Sequence, residues 1–292
     1  MTTRRCGVEN GHREVLAVRY GTRTTTKAEN FLNWHVYGEP DEAIPMDYFF
    51  WVYRDGTRTV VIDCGFAPDV GRRRGRTVLI DPVDGLTALG IDPAEVAQLV
   101  VSHAHYDHIG RLDRFAGAEI VMTRRELEFW TGPYAKRTLF AQPTEATEIA
   151  ALERARDQGR ITTFDGEADL GGGLRLVEVG GHTPGQLIAL AEVDDADDPA
   201  GEPGTAVLAT DALHFYEEAE ADRPFSVVAD LQAMYAGLDT LNELARRPGH
   251  ALVAGHDAAV GERFPRRASG TGMDELVVRI GGADVHRAGV AR

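Results

Sequence analysis

Hydrophobic positions along the chain recur first with the short period of strands and later with the longer period of helices. Residues 15–20 and 48–53 are dense in β-branched and aromatic side chains and predict strands. The turn Arg54-Asp55-Gly56 makes residues 59–63 the return arm of a hairpin. Residues 84–89 predict a short helix, and Asp92-Pro93 opens another with a capping carboxylate and a first-turn proline. Residues 99–102 form a short apolar strand that runs straight into His103. Residues 112–115, 120–123 and 126–130 continue the alternation. Residues 145–158, closed by Gly159, and 228–245 predict two long helices. Residues 174–179, 187–193, 205–209 and 251–254 predict strands, and the acidic run at 194–204 an exposed hairpin loop. Residues 130–143 follow no period and are a candidate lid or pocket loop. Strands followed by helices, twice over and with no linker, predict one α/β domain over residues 1–265, sheets inside and helices outside. Residues 266–292 are Gly- and Arg-rich around the apolar island at 276–278. They are expected to form a tail, either disordered or packed on a neighbour.

The chemistry concentrates in Ser102-His103-Ala104-His105-Tyr106-Asp107-His108. Imidazole and carboxylate are ligands for zinc and similar divalent metals. In a tight turn at a strand end, His103 and His105 can share one metal while Asp107 and His108 serve a second. Three more residues of ligand type each follow an apolar strand: His182 in Gly-Gly-His-Thr-Pro-Gly-Gln, Asp211 in Leu-Ala-Thr-Asp, and His256 in Val-Ala-Gly-His-Asp. Glycine beside His182 and His256 lets the backbone approach a metal closely.

The ordered set of HxHxDH, GHTPGQ, TDA and GHD resembles the metallo-β-lactamase superfamily, over roughly residues 46–265. That resemblance implies an αβ/βα four-layer sandwich. It also implies His103, His105 and His182 on a first metal, Asp107, His108 and His256 on a second, and Asp211 bridging. Within the superfamily, the segments Pro45-Met46-Asp47-Tyr48, Val61-Ile62-Asp63-Cys64-Gly65 and Asp211-Ala212-Leu213-His214-Phe215-Tyr216 resemble the N-acyl homoserine lactonase family. That family places a tyrosine three residues after the bridging aspartate. Here the position holds His214, with Tyr216 two residues on, and these two are the candidate contacts to a substrate carbonyl. The expected activity is a lactonase opening a small lactone such as an N-acyl homoserine lactone. Two divalent ions per chain, zinc first with iron, manganese or cobalt as alternatives, would lower the pKa of a shared water towards ~7 for attack as hydroxide. Asp107 is expected to carry a proton as well as to ligate. Asp63 and Ser102 are candidates to support the ligating histidines from behind. A thioesterase, another ester or amide hydrolase, or a cyclase on the same site is the alternative activity; a non-catalytic binding protein would have no chemical reason to keep all seven positions.

Composition narrows the partners. Lys plus Arg is 31 and Asp plus Glu 46, a net charge of −15 that repels nucleic acid and anionic membranes. No run approaches the ~20 apolar residues of a membrane span, and residues 1–15 contain no apolar secretory segment, so a cytoplasmic protein is expected. A homodimer is the habit of the resembled family. Cys64, in an apolar run, reads as a buried thiol; Phe49, Phe50 and Trp51 read as core; Trp130, Tyr134 and Phe140 read as substrate contacts.

Overall fold

A computed structural model describes residues 12–195, 198, 201–264, 266 and 272–285. Its strands run in chain order as β1 (Glu14–Thr26), β2 (Ala43–Arg54), β3 (Thr59–Ile62), β4 (Thr77–Val78), β5 (Gln98–Val100), β6 (Glu119–Thr123) and β7 (Ile161–Phe164). They continue as β8 (Glu167–Asp169), β9 (Leu174–Glu178), β10 (Leu187–Val193), β11 (Gly204–Leu208), β12 (His250–Val253) and β13 (Val277–Ile280). The first sheet has the order β13-β1-β2-β3-β5-β6-β7, with β4 beside β1. The second has the order β12-β11-β10-β9-β8.

The first sheet is buried on both sides. Val15, Ala17, Phe49, Trp51 and Tyr53 pack in one cluster with Leu174, Leu176, Ile188 and Val207 of the second sheet. Their sequence neighbours Leu16, Val18, Phe50 and Val52 pack instead with Leu86, Leu152 and Ala155 of the outer helices Pro82–Ala88 and Ala146–Asp157. Residues 48–53 therefore read as a continuous apolar run, since neither face meets water. Leu238, Leu241 and Leu244 of helix Leu231–Ala245 join the cluster of the second sheet from its far side. Helix, sheet, sheet and helix make the expected αβ/βα sandwich. No helix among the described residues is long and apolar enough to cross a membrane.

Three local expectations need correction. The apolar island of the presumed tail is part of the domain: β13 pairs antiparallel with β1, Val15 opposite Ile280, and so buries Val277, Val278 and Ile280. The helix opened by Asp92-Pro93 is one turn, Pro93–Glu95. The long helix expected from 228 begins at Leu231, because the Asp230 side chain accepts from the Ala233 N–H at 3.0 Å and caps it there. The acidic run at 194–204 joins antiparallel β10 and β11, as a hairpin loop should; residues 196–197 and 199–200 lie outside the described residues.

Glu148, on the inner face of Ala146–Asp157, is buried and its Oε2 has no hydrogen-bond partner among the described residues. Burial, aided by the charges of Glu145 and Asp107 and opposed by Arg74 and Arg73, pushes its carboxyl up to about 8. The unfolded chain would ionise near ~4.3. Stability from this group is therefore complete below that value and declines as pH rises towards 8. Glu148→Gln is expected to leave the melting temperature unchanged at pH 4 and to stabilise by roughly 1–3 kcal/mol at pH 8. Equal shifts at both pH values would contradict this account.

Candidate metal centre

Parallel β11 and β12, with Leu208 opposite Val253, bring Asp211 and His256 out at the same edge of the second sheet. β5 ends at Val100, and the turn that follows carries His103 and His105 into the short helix Tyr106–Ile109 with Asp107 and His108. Tight backbone draws the loops together. Gly181 has φ +93°, and a Cβ there would lie 2.5 Å from Met234 Cα; a Cβ on Gly255 would lie 2.2 Å from the Thr210 carbonyl oxygen. Thr210 itself holds φ +47° to present Asp211.

Asp211 stands at the middle. Its Oδ2 lies 3.7 Å from His103 Nε2, 3.4 Å from His182 Nε2 and 3.0 Å from His214 Nε2. Its Oδ1 lies 3.1 Å from both His108 Nε2 and His256 Nε2. His105 Nδ1 faces His182 Nε2 at 2.9 Å, and Asp107 Oδ1 is 3.8 Å from His108 Nε2. Ligand-type atoms within 4.8 Å of one another fall into the groups His103-His105-His182, His103-His108-Asp211, Asp107-His108-His256 and His182-Asp211-His214, all buried. All seven residues expected as ligands are thus brought together, one carboxylate oxygen facing each half.

The protonation pattern suits cations. His182 Nδ1 lies 2.8 Å from the Val227 carbonyl and His256 Nδ1 lies 2.7 Å from the Asp47 carbonyl. A carbonyl only accepts, so Nδ1 carries the proton and Nε2 presents a lone pair inward. Burial holds His103 and His182 well below the usual imidazole range and His105 at about 3, so these rings stay neutral. Burial also works against the charge on Asp211, but His108, His256, His214 and His103 outweigh it and keep the carboxylate ionised. The Nε2 atoms of His103 and His108 are buried with no hydrogen-bond partner among the described residues. Burial works against charge on His108, but Asp211, Asp63 and Asp107 outweigh it and hold that ring charged, so its Nε2 carries a proton where a metal would displace it. His103 Nε2 is an orphaned acceptor, costly unless a cation fills it. A dinuclear metal centre fits these residues.

Supporting contacts lie behind the cluster. Asp63 accepts from Ser102 N–H at 2.8 Å and Ser102 Oγ at 2.7 Å, and meets His108 Nδ1 at 2.8 Å. Cys64 is buried, its sulfur 3.2 Å from the His108 carbonyl. Two supports escaped sequence reasoning. Glu126 accepts from Ala104 N–H at 2.9 Å and Trp130 Nε1 at 2.5 Å on one oxygen, and from Thr183 Oγ at 2.8 Å and Gly185 N–H at 2.9 Å on the other. Glu218 accepts the backbone N–H groups of His214 and Phe215 at 2.7 and 2.8 Å; its place one helical turn after His214 was the available signal.

Of the two candidate carbonyl contacts, only His214 reaches the cluster. Tyr216 begins the short helix Tyr216–Glu220, which turns its ring into the inter-sheet core; its hydroxyl lies 3.2 Å from the Leu252 carbonyl and 3.4 Å from Ala254 N, under the Arg263 guanidinium. Tyr216→Phe is expected to keep kcat/KM within about twofold and to cost roughly 1 kcal/mol of stability. A tenfold loss of turnover at unchanged stability would put Tyr216 back in the site. Among the loop aromatics, Trp130 is buried and meets His105 edge to face with ring centroids 5.5 Å apart, Phe140 packs on Phe129, and Tyr134 is 64% exposed.

The comparisons with known proteins agree with this geometry. Residues 45–197 match the family model described as metallo-beta-lactamase superfamily. The chain belongs to that superfamily. Among curated members, N-acyl homoserine lactonase AttM of Azorhizobium caulinodans is 30% identical over 74% of this chain and 83% of its own length. AttM of Rhizobium johnstonii is 28% identical over 77% and 87%. A solved structure of a quorum-quenching N-acyl homoserine lactone lactonase superposes with a TM-score of 0.69 at 16% identity, covering 86% of this chain and 95% of that one. AidC, a dizinc quorum-quenching lactonase, gives 0.62 at 20% identity, covering 86% and 89%.

Proposed function

We propose that this metallo-β-lactamase-fold protein is a metal-dependent lactonase that hydrolyses N-acyl homoserine lactones. One observation carries the reading: a bridging-type carboxylate, Asp211, turns one oxygen to each of two imidazole groups, and in each group one inward nitrogen, His103 Nε2 and His108 Nε2, has no hydrogen-bond partner among the described residues. His103, His105 and His182 would hold the first ion, Asp107, His108 and His256 the second, and Asp211 both. When bound, the pair of ions, zinc in this proposal, would supply an activated water and Lewis acidity towards a carbonyl oxygen. The chain supplies placement. Asp63 and the Val227 and Asp47 carbonyls fix the tautomers and orientations of His108, His182 and His256. Asp107, at the mouth of the helix Tyr106–Ile109, is placed to pass a proton to the departing ring oxygen. Trp130 and Phe225 wall the cluster beside His105 and His214. The names of the AttM relatives support the substrate class, and the proposal extends to a cytoplasmic homodimer.

The test is ring opening, followed by proton release, on a panel of short- and long-chain acyl-homoserine lactones and simple γ-lactones. Metal-loaded protein is expected to turn over at least one of them, and His105→Ala to fall by about 10³-fold or more. No turnover from protein carrying two ions per chain would sink the lactonase reading and leave the metal centre standing.

A further inference from the structure

His214 occupies a position that neither of the expected ligand triads uses, yet its surroundings match those of the ligands. It is 1% exposed, and its ring lies flat against Phe225, with centroids 3.4 Å apart and planes 10° off parallel. On the other side it stacks towards His256 at 5.4 Å, and it meets His182 at 4.7 Å. The ring therefore has no room to swing away from the cluster. Its Nε2 comes 3.0 Å from Asp211 Oδ2, but the direction is wrong for a hydrogen bond, and the atom is orphaned just as His103 Nε2 and His108 Nε2 are. Two atoms at that distance that do not point at each other are placed as neighbouring ligands of a third. Glu218 lies behind the ring: its Oε1 is 3.5 Å from His214 Nδ1 and is itself anchored by two backbone N–H groups. Nδ1 makes no hydrogen bond among the described residues, but the Glu218 charge on that side favours the proton there and Nε2 as the metal-facing atom, the sense in which carboxylates orient metal-bound histidines.

The Asp211 oxygens decide which ion is concerned. Oδ1 faces His108 and His256, whereas Oδ2 faces His103, His182 and His214, and His182, Asp211 and His214 lie mutually within ligand reach. Resting on the dinuclear reading above, we propose that His214 is an additional protein ligand of the first metal, beside His103, His105, His182 and Asp211. Four imidazoles and a carboxylate exceed a tetrahedral set. The first position therefore selects an ion that accepts five or more ligands, and the second position keeps the more open coordination.

The experiment uses the full-length protein loaded with cobalt(II). Each bound, buried histidine contributes one paramagnetically shifted, exchangeable imidazole N–H proton resonance. Wild type is expected to show six, from His103, His105, His108, His182, His214 and His256, and His214→Phe, which preserves the stack on Phe225, to show five. Chelator competition should show one of the two ions held at least ~10-fold more weakly in His214→Phe and the other unchanged. The same number of resonances in both proteins, with unchanged affinities, would overturn the proposal and leave His214 as a donor to substrate. Absence of shifted resonances in either protein would sink the metal centre together with it.

Discussion

Asp211→Asn is expected to lower kcat/KM for any lactone substrate by at least ~10³-fold, about 4 kcal/mol of transition-state stabilisation. The bound metal is expected to fall below two ions per chain. The substitution changes no volume and removes one charge. In the native cluster that charge is held in place by imidazoles on both sides, His108 and His256 at 3.1 Å from one oxygen and His214, His182 and His103 at 3.0–3.7 Å from the other. An amide cannot be an anion, and whichever end carries NH₂ turns donor hydrogens towards nitrogens that present lone pairs. Two dications left without their shared anion also repel each other across a buried space, where the interaction is weakly screened. The metal-free variant should also melt below metal-free wild type, because the imidazoles that hold the folded-state carboxylate ionised lose their anion. Elemental analysis and lactone kinetics decide the matter. Two ions per chain with turnover inside tenfold of wild type would show that Asp211 does not bridge.

The parts of this site that could be read from the sequence are those in which a strand end delivers the chemistry. HxHxDH follows an apolar strand, and His182, Asp211 and His256 repeat that setting, so periodicity alone placed each residue at a sheet edge. The layered fold followed from the same alternation. What escaped were residues whose roles depend on where a side chain turns after the strand has ended. His214 and Tyr216 differ by two positions in sequence, yet the helix starting at Tyr216 sends one ring into the core while Phe225 pins the other beside Asp211. β13 was hidden for another reason. Its apolar stretch is only Val277–Ile280, amid Gly and Arg, and its pairing with β1 joins residues some 260 positions apart. Glu126 had no signal at all, since a glutamate in the first turn of a helix is ordinarily explained by the helix dipole.

Glu126→Gln is expected to destabilise the protein by about 2–4 kcal/mol, visible as a fall in melting temperature on the order of 5–10 °C. It is also expected to weaken one of the two metals at least ~10-fold. The carboxyl is fully buried, and burial pushes its pKa up while the hydrogen bonds from Ala104, Thr183, Trp130 and Gly185 hold it down. It is kept there by four donors, two on each oxygen, drawn from three different segments. Ala104 sits between His103 and His105, Thr183 and Gly185 follow His182, and Trp130 walls His105. One side chain therefore fastens together the two loops that would hold the first ion. Fit around it is close: a Cβ on Gly185 would come 2.3 Å from Glu126 N and from Thr123 Oγ1. Glutamine keeps the size and one accepting oxygen, but its NH₂ must face two of the four donors. Those two lose their acceptor in a place water does not reach, at roughly 1–3 kcal/mol each. Glu126→Ala should be worse on both readouts, since all four donors are orphaned and a cavity is added. The metal measurement separates fastening of the site from plain stabilisation. If Glu126→Gln lowered the melting temperature yet bound both ions as tightly as wild type, the two loops would be held in register by something else, and Glu126 would support the fold alone.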